Sequence, residues 1–263
     1  MYNYKSLTIN ETFSLAVNYH KENNLVVAKE LYNEVLKKDP THLSSLNNLG
    51  TILHKLGENK KAQNFFEKAI IINPNYADAH NNLGALFEKL NENQKALNCF
   101  EKAAKINPNY LDAHFNTGKI FKKLHEYKKA KIFFEKVIQI NSNYTSAHFN
   151  LGLIFNDLGE INKAKKCYEK IVEIDPEYAD AYNNLGVIFE MTGEYEKAIK
   201  CFKKKIEFNP KDFTTLSNLA NIYITQQDDS EKTVSSSYKA LKIYHETSKF
   251  INQTVPLFRL KHD

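Results

Sequence analysis

Six asparagines, Asn48, Asn82, Asn116, Asn150, Asn184 and Asn218, recur every 34 residues, each two places ahead of a glycine or an alanine. A carboxamide carries a donor and an acceptor on one short arm, and so matches the N–H and C=O that an extended peptide leaves unpaired. The chemistry such a series suits is gripping a backbone without reading its side chains. Residue types that make and break bonds are placed less usefully. Cys99, Cys167 and Cys201 are odd in number and show no C-x-x-C spacing, which argues against a disulfide framework or a zinc site. The acidic run "DDSE" reads as a helix start capped by Asp229 or Ser230. No H-E-x-x-H, G-x-G-x-x-G, P-loop or nucleophile-elbow pattern occurs, so the sequence offers no catalytic constellation and implies no cofactor and no metal.

Composition narrows the setting. The 263 residues are 42% apolar, enough for a sizeable core, and 25% charged, with no apolar run approaching the length of a membrane span. The start, "MYNYKSLTINET", lacks the basic and apolar regions of a signal peptide, so a soluble, cytoplasmic protein is expected. The net charge of +5 is almost wholly lysine, dispersed among glutamates, with Arg259 the only arginine. Nucleic-acid sites use arginine forks and a concentrated basic stripe, so neither nucleic acid nor membrane is expected as a partner.

The elements that position the asparagines follow from the rest of the lattice. Pro40, Pro74, Pro108, Pro176 and Pro210 share the 34-residue period, with Ser142 at the one missing proline. So do Gly50, Gly84, Gly118, Gly152 and Gly186, flanked by Ala16 and Ala220. Two further series are Ala28, Ala62, Ala96, Ala130, Ala164 and Ala198, and the aromatics Tyr32, Phe66, Phe100, Phe134, Tyr168 and Phe202. Four aligned series resemble the tetratricopeptide repeat, a helix-turn-helix unit with a small residue at position 8, alanine at 20, an aromatic at 24 and proline at 32. The resemblance divides the chain into 9–42, 43–76, 77–110, 111–144, 145–178, 179–212 and 213–248, after an extension 1–8 and before a tail 249–263. The last unit needs two extra residues in "TQQDDSEKT" to bring Tyr238 into the aromatic series. The fold expected is all-α, a right-handed α–α superhelix of about seven units with the first helices lining its concave side.

Hydrophobic spacing supports this. In "AHNNLGALFEKL" His80, Leu83, Gly84, Phe87 and Leu90 recur at three and four, one stripe of an amphipathic helix, and Ala96, Cys99, Phe100, Ala103 and Ile106 form another. At 100° per residue, positions 3, 4, 7, 8, 10, 11 and 14 of each first helix share one side, positions 2, 5, 9, 12 and 13 the other, and position 6 lies at the border. The cysteines all take position 23, where other copies carry Leu31, Phe65 and Phe133, and read as core-facing apolar substitutes. His80, His114 and His148 take position 4, a packing site. Helices stack about 10 Å apart, too far for Cys167 and Cys201 to bridge or for these histidines to share a metal.

The asparagines hold position 6 in six consecutive units although asparagine costs about 0.5 kcal/mol against alanine inside a helix. The phrases "NNLG" and "NPNYADAH" resemble the repeats of O-linked N-acetylglucosamine transferases, in which such a ladder holds the substrate polypeptide; by that resemblance the role falls on the six residues named. Two readings stay open: the ladder binds extended polypeptide, or each asparagine bonds a neighbouring repeat or a helix carbonyl and stabilises the stack. The clamp that other tetratricopeptide proteins use for C-terminal carboxylates is not matched, since position 6 is never basic. Lys55, Lys89 and Lys123 at position 13, with Lys119 and Lys122, make the first half of the groove basic, suiting either an acidic partner or the helix dipole. The function expected is a protein-interaction scaffold that binds extended polypeptide. The alternatives are the recruiting arm of a larger enzyme such as a peptide glycosyltransferase, and a self-associating scaffold whose contact is the apolar tail Phe250, Ile251, Val255, Leu257, Phe258 and Leu260, a homo-oligomer.

Overall fold

The computed structural model describes residues 7–225 and Tyr238. Within residues 7–225 thirteen helices follow one another: α1 (Ile9–Lys21), α2 (Leu25–Lys38), α3 (Leu43–Lys55), α4 (Asn59–Ile72), α5 (Ala77–Lys89), α6 (Asn93–Ile106), α7 (Leu111–Lys123), α8 (Tyr127–Ile140), α9 (Thr145–Asp157), α10 (Ile161–Ile174), α11 (Ala179–Met191), α12 (Tyr195–Phe208) and α13 (Phe213–Thr225). Among the described residues there is no strand. The apolar tail and the residues expected to cap the last helix lie outside the described residues. Tyr238 is helical and 67% exposed, unlike the aromatic series with which the sequence aligns it.

The helix ends follow from local backbone chemistry. Thr8 and Glu11 close a reciprocal capping box on α1. Each of α2, α4, α6, α10 and α12 stops at a residue just before a proline, where the ring clashes with a helical predecessor and pushes it extended; Asn73, for example, has φ −134° and ψ 97°. Asn141 adopts the same backbone, φ −138° and ψ 99°, before Ser142, so the turn survives without its proline. Within each hairpin the chain reverses through one left-handed residue at position 15: Asn23, Gly57, Asn91, His125, Gly159 and Gly193 all have positive φ. Glycine and asparagine tolerate that conformation best.

The chain divides into two compact units, Met1–Ser142 and Asn143–Asp263. In the first, α1 with α2, α3 with α4, α5 with α6 and α7 with α8 form antiparallel hairpins, and α2, α4 and α6 also pack on the first helix of the next pair. The first helices touch one another, α3 with α5 and α5 with α7, which sets them along one inner face. The second unit repeats the pattern with α9–α10, α11–α12 and α13, and α11 touches α13.

The core is cut by the same period. The position-24 rings of Tyr32, Phe66, Phe100, Phe134, Tyr168 and Phe202 are at most 1% exposed, each burial stabilising by roughly 1.5–3 kcal/mol. They lie on the position-8 glycines: a Cβ on Gly84 would sit 2.6 Å from Phe100 Cε1. Ile52, Leu86, Ile120, Ile154, Ile188 and Ile222 at position 10 are buried as well. Position 14 departs from the helical-wheel expectation, because Leu56, Leu90, Leu124 and Leu158 are 39–48% exposed. All four are C-cap residues, as at Leu90, where the helix ends and the chain turns away from the packed side. Salt bridges decorate this frame: Glu58, Glu92, Glu126, Glu160 and Glu194 each pair with the lysine three residues on. Such exposed pairs contribute well under about 1 kcal/mol each.

Candidate functional site

The six asparagines are all half-buried on the first helices, and their amides do not all do the same thing. Asn82 Nδ2 donates to Asn47 Oδ1 of the preceding repeat at 2.9 Å, and Asn116 Nδ2 to Asn81 Oδ1 at 3.4 Å. Asn48 Nδ2 donates to the hydroxyl of Tyr32 at 3.1 Å. Asn150 and Asn184 turn back on their own helices, donating to the carbonyls of Ser146 at 2.8 Å and Asp180 at 3.1 Å.

Position 5 accounts for the difference among the first five, whereas Asn183, the position-5 residue before Asn218, accepts from Thr215 Oγ1 at 3.2 Å instead. An asparagine there in the preceding repeat, Asn47 or Asn81, gives the next Asn82 or Asn116 an amide to pair with. Where the preceding position 5 is Phe13 or Phe149, Asn48 and Asn184 have no such partner. Asn47 and Asn81 are only 6% exposed, whereas the isolated helical wheel puts position 5 on the open side. The signal was present in the sequence, which reads "NNLG" at 47–50, 81–84 and 183–186 but "FNTG" at 115–118 and "FNLG" at 149–152.

Hydrogen-bonding capacity is left over on the inner face of the first unit. Among the described residues, the Oδ1 atoms of Asn48, Asn82 and Asn116 accept from no group, and the Nδ2 atoms of Asn47 and Asn81 donate to none. Each cross-repeat pair therefore presents one donor and one acceptor, whichever amide donates within the pair.

The lysines are tied to the preceding repeat to different degrees. Lys119 Nζ pairs with Glu88 at 2.9 Å. Lys89 Nζ donates to the His54 carbonyl at 3.3 Å, and Lys123 Nζ to Asn91 Oδ1 at 2.8 Å. Lys122 is half-buried, while Lys55 is exposed and makes no hydrogen bond or ion pair with the described residues. Burial and the nearby Lys55 lower the His20 pKa, and burial and Lys89 lower that of His54. Both rings are therefore uncharged at neutral pH.

The remaining candidates have structural partners. His80 and His114 donate Nε2–H to the carbonyls of Pro74 (3.0 Å) and Pro108 (2.9 Å), and Tyr182 donates its hydroxyl to Pro176 (3.1 Å). Position 4 thus straps the turn that precedes its helix. Burial pushes the thiols of Cys99 and Cys201 up to about 11, so they are weak nucleophiles at neutral pH. Among the described residues no group of three or more His, Cys, Asp or Glu could hold a metal ion, and no helix is long and apolar enough to cross a membrane. One polar feature escaped the sequence reading. Lys205 takes position 27, where other repeats carry Ala69, Ala103, Val137 or Ile171, and it is 8% exposed. Its ammonium lies 2.6 Å from Asp180 Oδ1 and 3.7 Å from Asp212 Oδ2.

Similar solved structures include a tetratricopeptide protein, YrrB, described as having an unusual peptide-binding site (24% identity, TM-score 0.59, 71% of this chain and 96% of that one). A second is pilF of Pseudomonas aeruginosa (18%, 0.73, 81% and 97%). A third is the C-terminal part of a repeat-containing protein from Cytophaga hutchinsonii (19%, 0.71, 93% and 100%). These likenesses speak for the fold alone, and no curated protein matches this chain. Family models described as tetratricopeptide repeats match residues 43–109, 111–144 and 179–212, and one described as a TPR repeat matches 152–193. Matches spread over four stretches, on helices that begin every 34 residues, establish that the chain belongs to the tetratricopeptide repeat family.

Proposed function

We propose that this protein is an interaction scaffold whose first helices bind polypeptide in an extended conformation, through the carboxamides at positions 5 and 6. The observation that carries this is the leftover capacity in the first unit: paired amides offering an acceptor at Asn82 and Asn116 and a donor at Asn47 and Asn81. An extended backbone supplies the matching N–H and C=O groups. Asn48, Asn82 and Asn116 would serve the first unit, and Asn150, Asn184 and Asn218 the second. Membership of a family of protein-binding scaffolds supports the reading, as does a relative described as having a peptide-binding site.

An end-blocked nonapeptide of alternating threonine and serine is the appropriate probe, since it favours extended backbone and carries no charge. Fluorescence anisotropy should show saturable binding that hardly changes with salt. No binding of this peptide, with charged peptides binding instead, would overturn backbone recognition.

Lys55 supplies a preference superimposed on this grip. Of Lys55, Lys89 and Lys123 it alone makes no hydrogen bond or ion pair with the described residues, so Lys55→Gln should weaken an aspartate-rich nonapeptide about two- to fivefold at low ionic strength, and progressively less as salt screens the charge. Lys89→Gln and Lys123→Gln should change affinity less, because those ammonium groups already serve the preceding repeat. Equal losses for all three would assign the effect to net charge rather than to this position.

A further inference from the structure

Two copies of one constellation occur in the chain, with the asparagine in two different seats. Phe13, Tyr32 and Asn48 occupy positions 5, 24 and 6 of successive repeats, and Phe149, Tyr168 and Asn184 occupy the same positions further on. Phe13 packs on Tyr32 with ring centroids 5.9 Å apart, and Phe149 on Tyr168 at 6.0 Å. In the first copy the Tyr32 hydroxyl receives Asn48 Nδ2 at 3.1 Å. In the second, Asn184 is turned to the Asp180 carbonyl, and the Tyr168 hydroxyl, on a side chain 0% exposed, has no hydrogen-bond partner. Asn156 takes the repeat position of His20, the ring that stands 6.1 Å from Tyr32, and its Oδ1 is likewise buried and unpartnered. A buried hydroxyl without a partner is costly and rare, and marks a place where a donor belongs.

We infer that Tyr168 is the positioning residue for Asn184, which rests on the Asp180 carbonyl in the free protein and moves onto the Tyr168 hydroxyl when polypeptide binds. The inference rests on the proposed function. In the second seat Asn184 adopts the arrangement of Asn48, its Nδ2 spent on a tyrosine and its Oδ1 left to accept a peptide N–H. The Gly152 backbone against Tyr168, where a Cβ would meet the hydroxyl at 3.1 Å, keeps the ring in place.

The test compares Tyr168→Phe with Tyr32→Phe. Without peptide, Tyr32→Phe should lower the melting temperature, because it strips Asn48 of its acceptor, whereas Tyr168→Phe should leave it unchanged or raise it. With the threonine-serine nonapeptide, Tyr168→Phe should bind about threefold to tenfold more weakly, and the Asn184 side-chain amide resonances, which shift on binding in the native protein, should stay put. Native-like affinity in Tyr168→Phe, or a melting loss in the free protein equal to that of Tyr32→Phe, would overturn the inference. Failure of the native protein to bind any uncharged peptide would instead remove the underlying reading, and this inference with it.

Discussion

Gly84→Val should destabilise the protein by about 3 kcal/mol or more, and Phe100→Leu in the same chain should recover part of the loss. The first carbon of any side chain at 84 falls 2.6 Å from Phe100 Cε1 and 2.8 Å from Cδ1, inside a ring that is 0% exposed. Nothing nearby is a flexible chain end that could give way. Valine's advantage over glycine in helix propensity is a few tenths of a kcal/mol, so the overlap decides the sign. Phe100→Leu alone should cost about 1–3 kcal/mol for the ring volume it removes. The double variant should therefore be more stable than the two losses added together, by about 0.5–3 kcal/mol. Urea midpoints at unchanged slope would measure this. Strict additivity would mean that the glycine series is kept for some reason other than the ring beneath it.

The second large effect concerns the ladder, and the structure changes what alanine is expected to do there. Asn82→Ala and Asn116→Ala leave the buried Oδ1 of Asn47 and Asn81 without a donor, a cost of about 1–3 kcal/mol each against about 0.5 kcal/mol gained in propensity. Their double variant should melt distinctly lower. Asn184→Ala loses only a bond back to its own helix, so its stability should be unchanged or slightly raised. If all three contact peptide, each removal costs about 0.5–1.5 kcal/mol of binding, which is between twofold and roughly tenfold in affinity. Asn184→Ala thus separates binding from stability. Weaker peptide binding at an undiminished melting temperature is the expected result; unchanged binding would leave Asn184 with no part in recognition.

The repeat period was legible because each unit buries the same positions, so selection for packing writes the helix register directly into the chain. The first helices begin at Ile9, Leu43, Ala77, Leu111, Thr145, Ala179 and Phe213, one period apart. The left-handed position 15 was harder to read, since Gly57, Asn91 and His125 meet the same backbone need with different residues. Position 5 was misplaced for a physical reason: a helical wheel knows only its own helix, whereas Asn47 and Asn81 are covered by the next repeat. Leu90 and its equivalents were misplaced in the opposite direction, as the helix ends there. Lys205 reads as a surface lysine until Asp180 and Asp212 are seen to meet it. The site residues were visible as a series, but whether each amide faces its own helix, a tyrosine or the next repeat depends on neighbours 16 to 35 residues away.

Backbone recognition itself is tested most directly by where peptide methylation hurts. Successive first helices lie about 10 Å apart and an extended chain advances about 3.3 Å per residue, so one asparagine meets roughly every third peptide residue. Two threonine-serine nonapeptides carrying three N-methyl groups each, one set on every third residue and one on every second, have the same composition but differ in whether any register stays clear. The account predicts that the first binds within about threefold of the unmodified peptide, whereas the second, which blocks a contact in every register, loses about tenfold. Equal affinities for the two methylated peptides would contradict it.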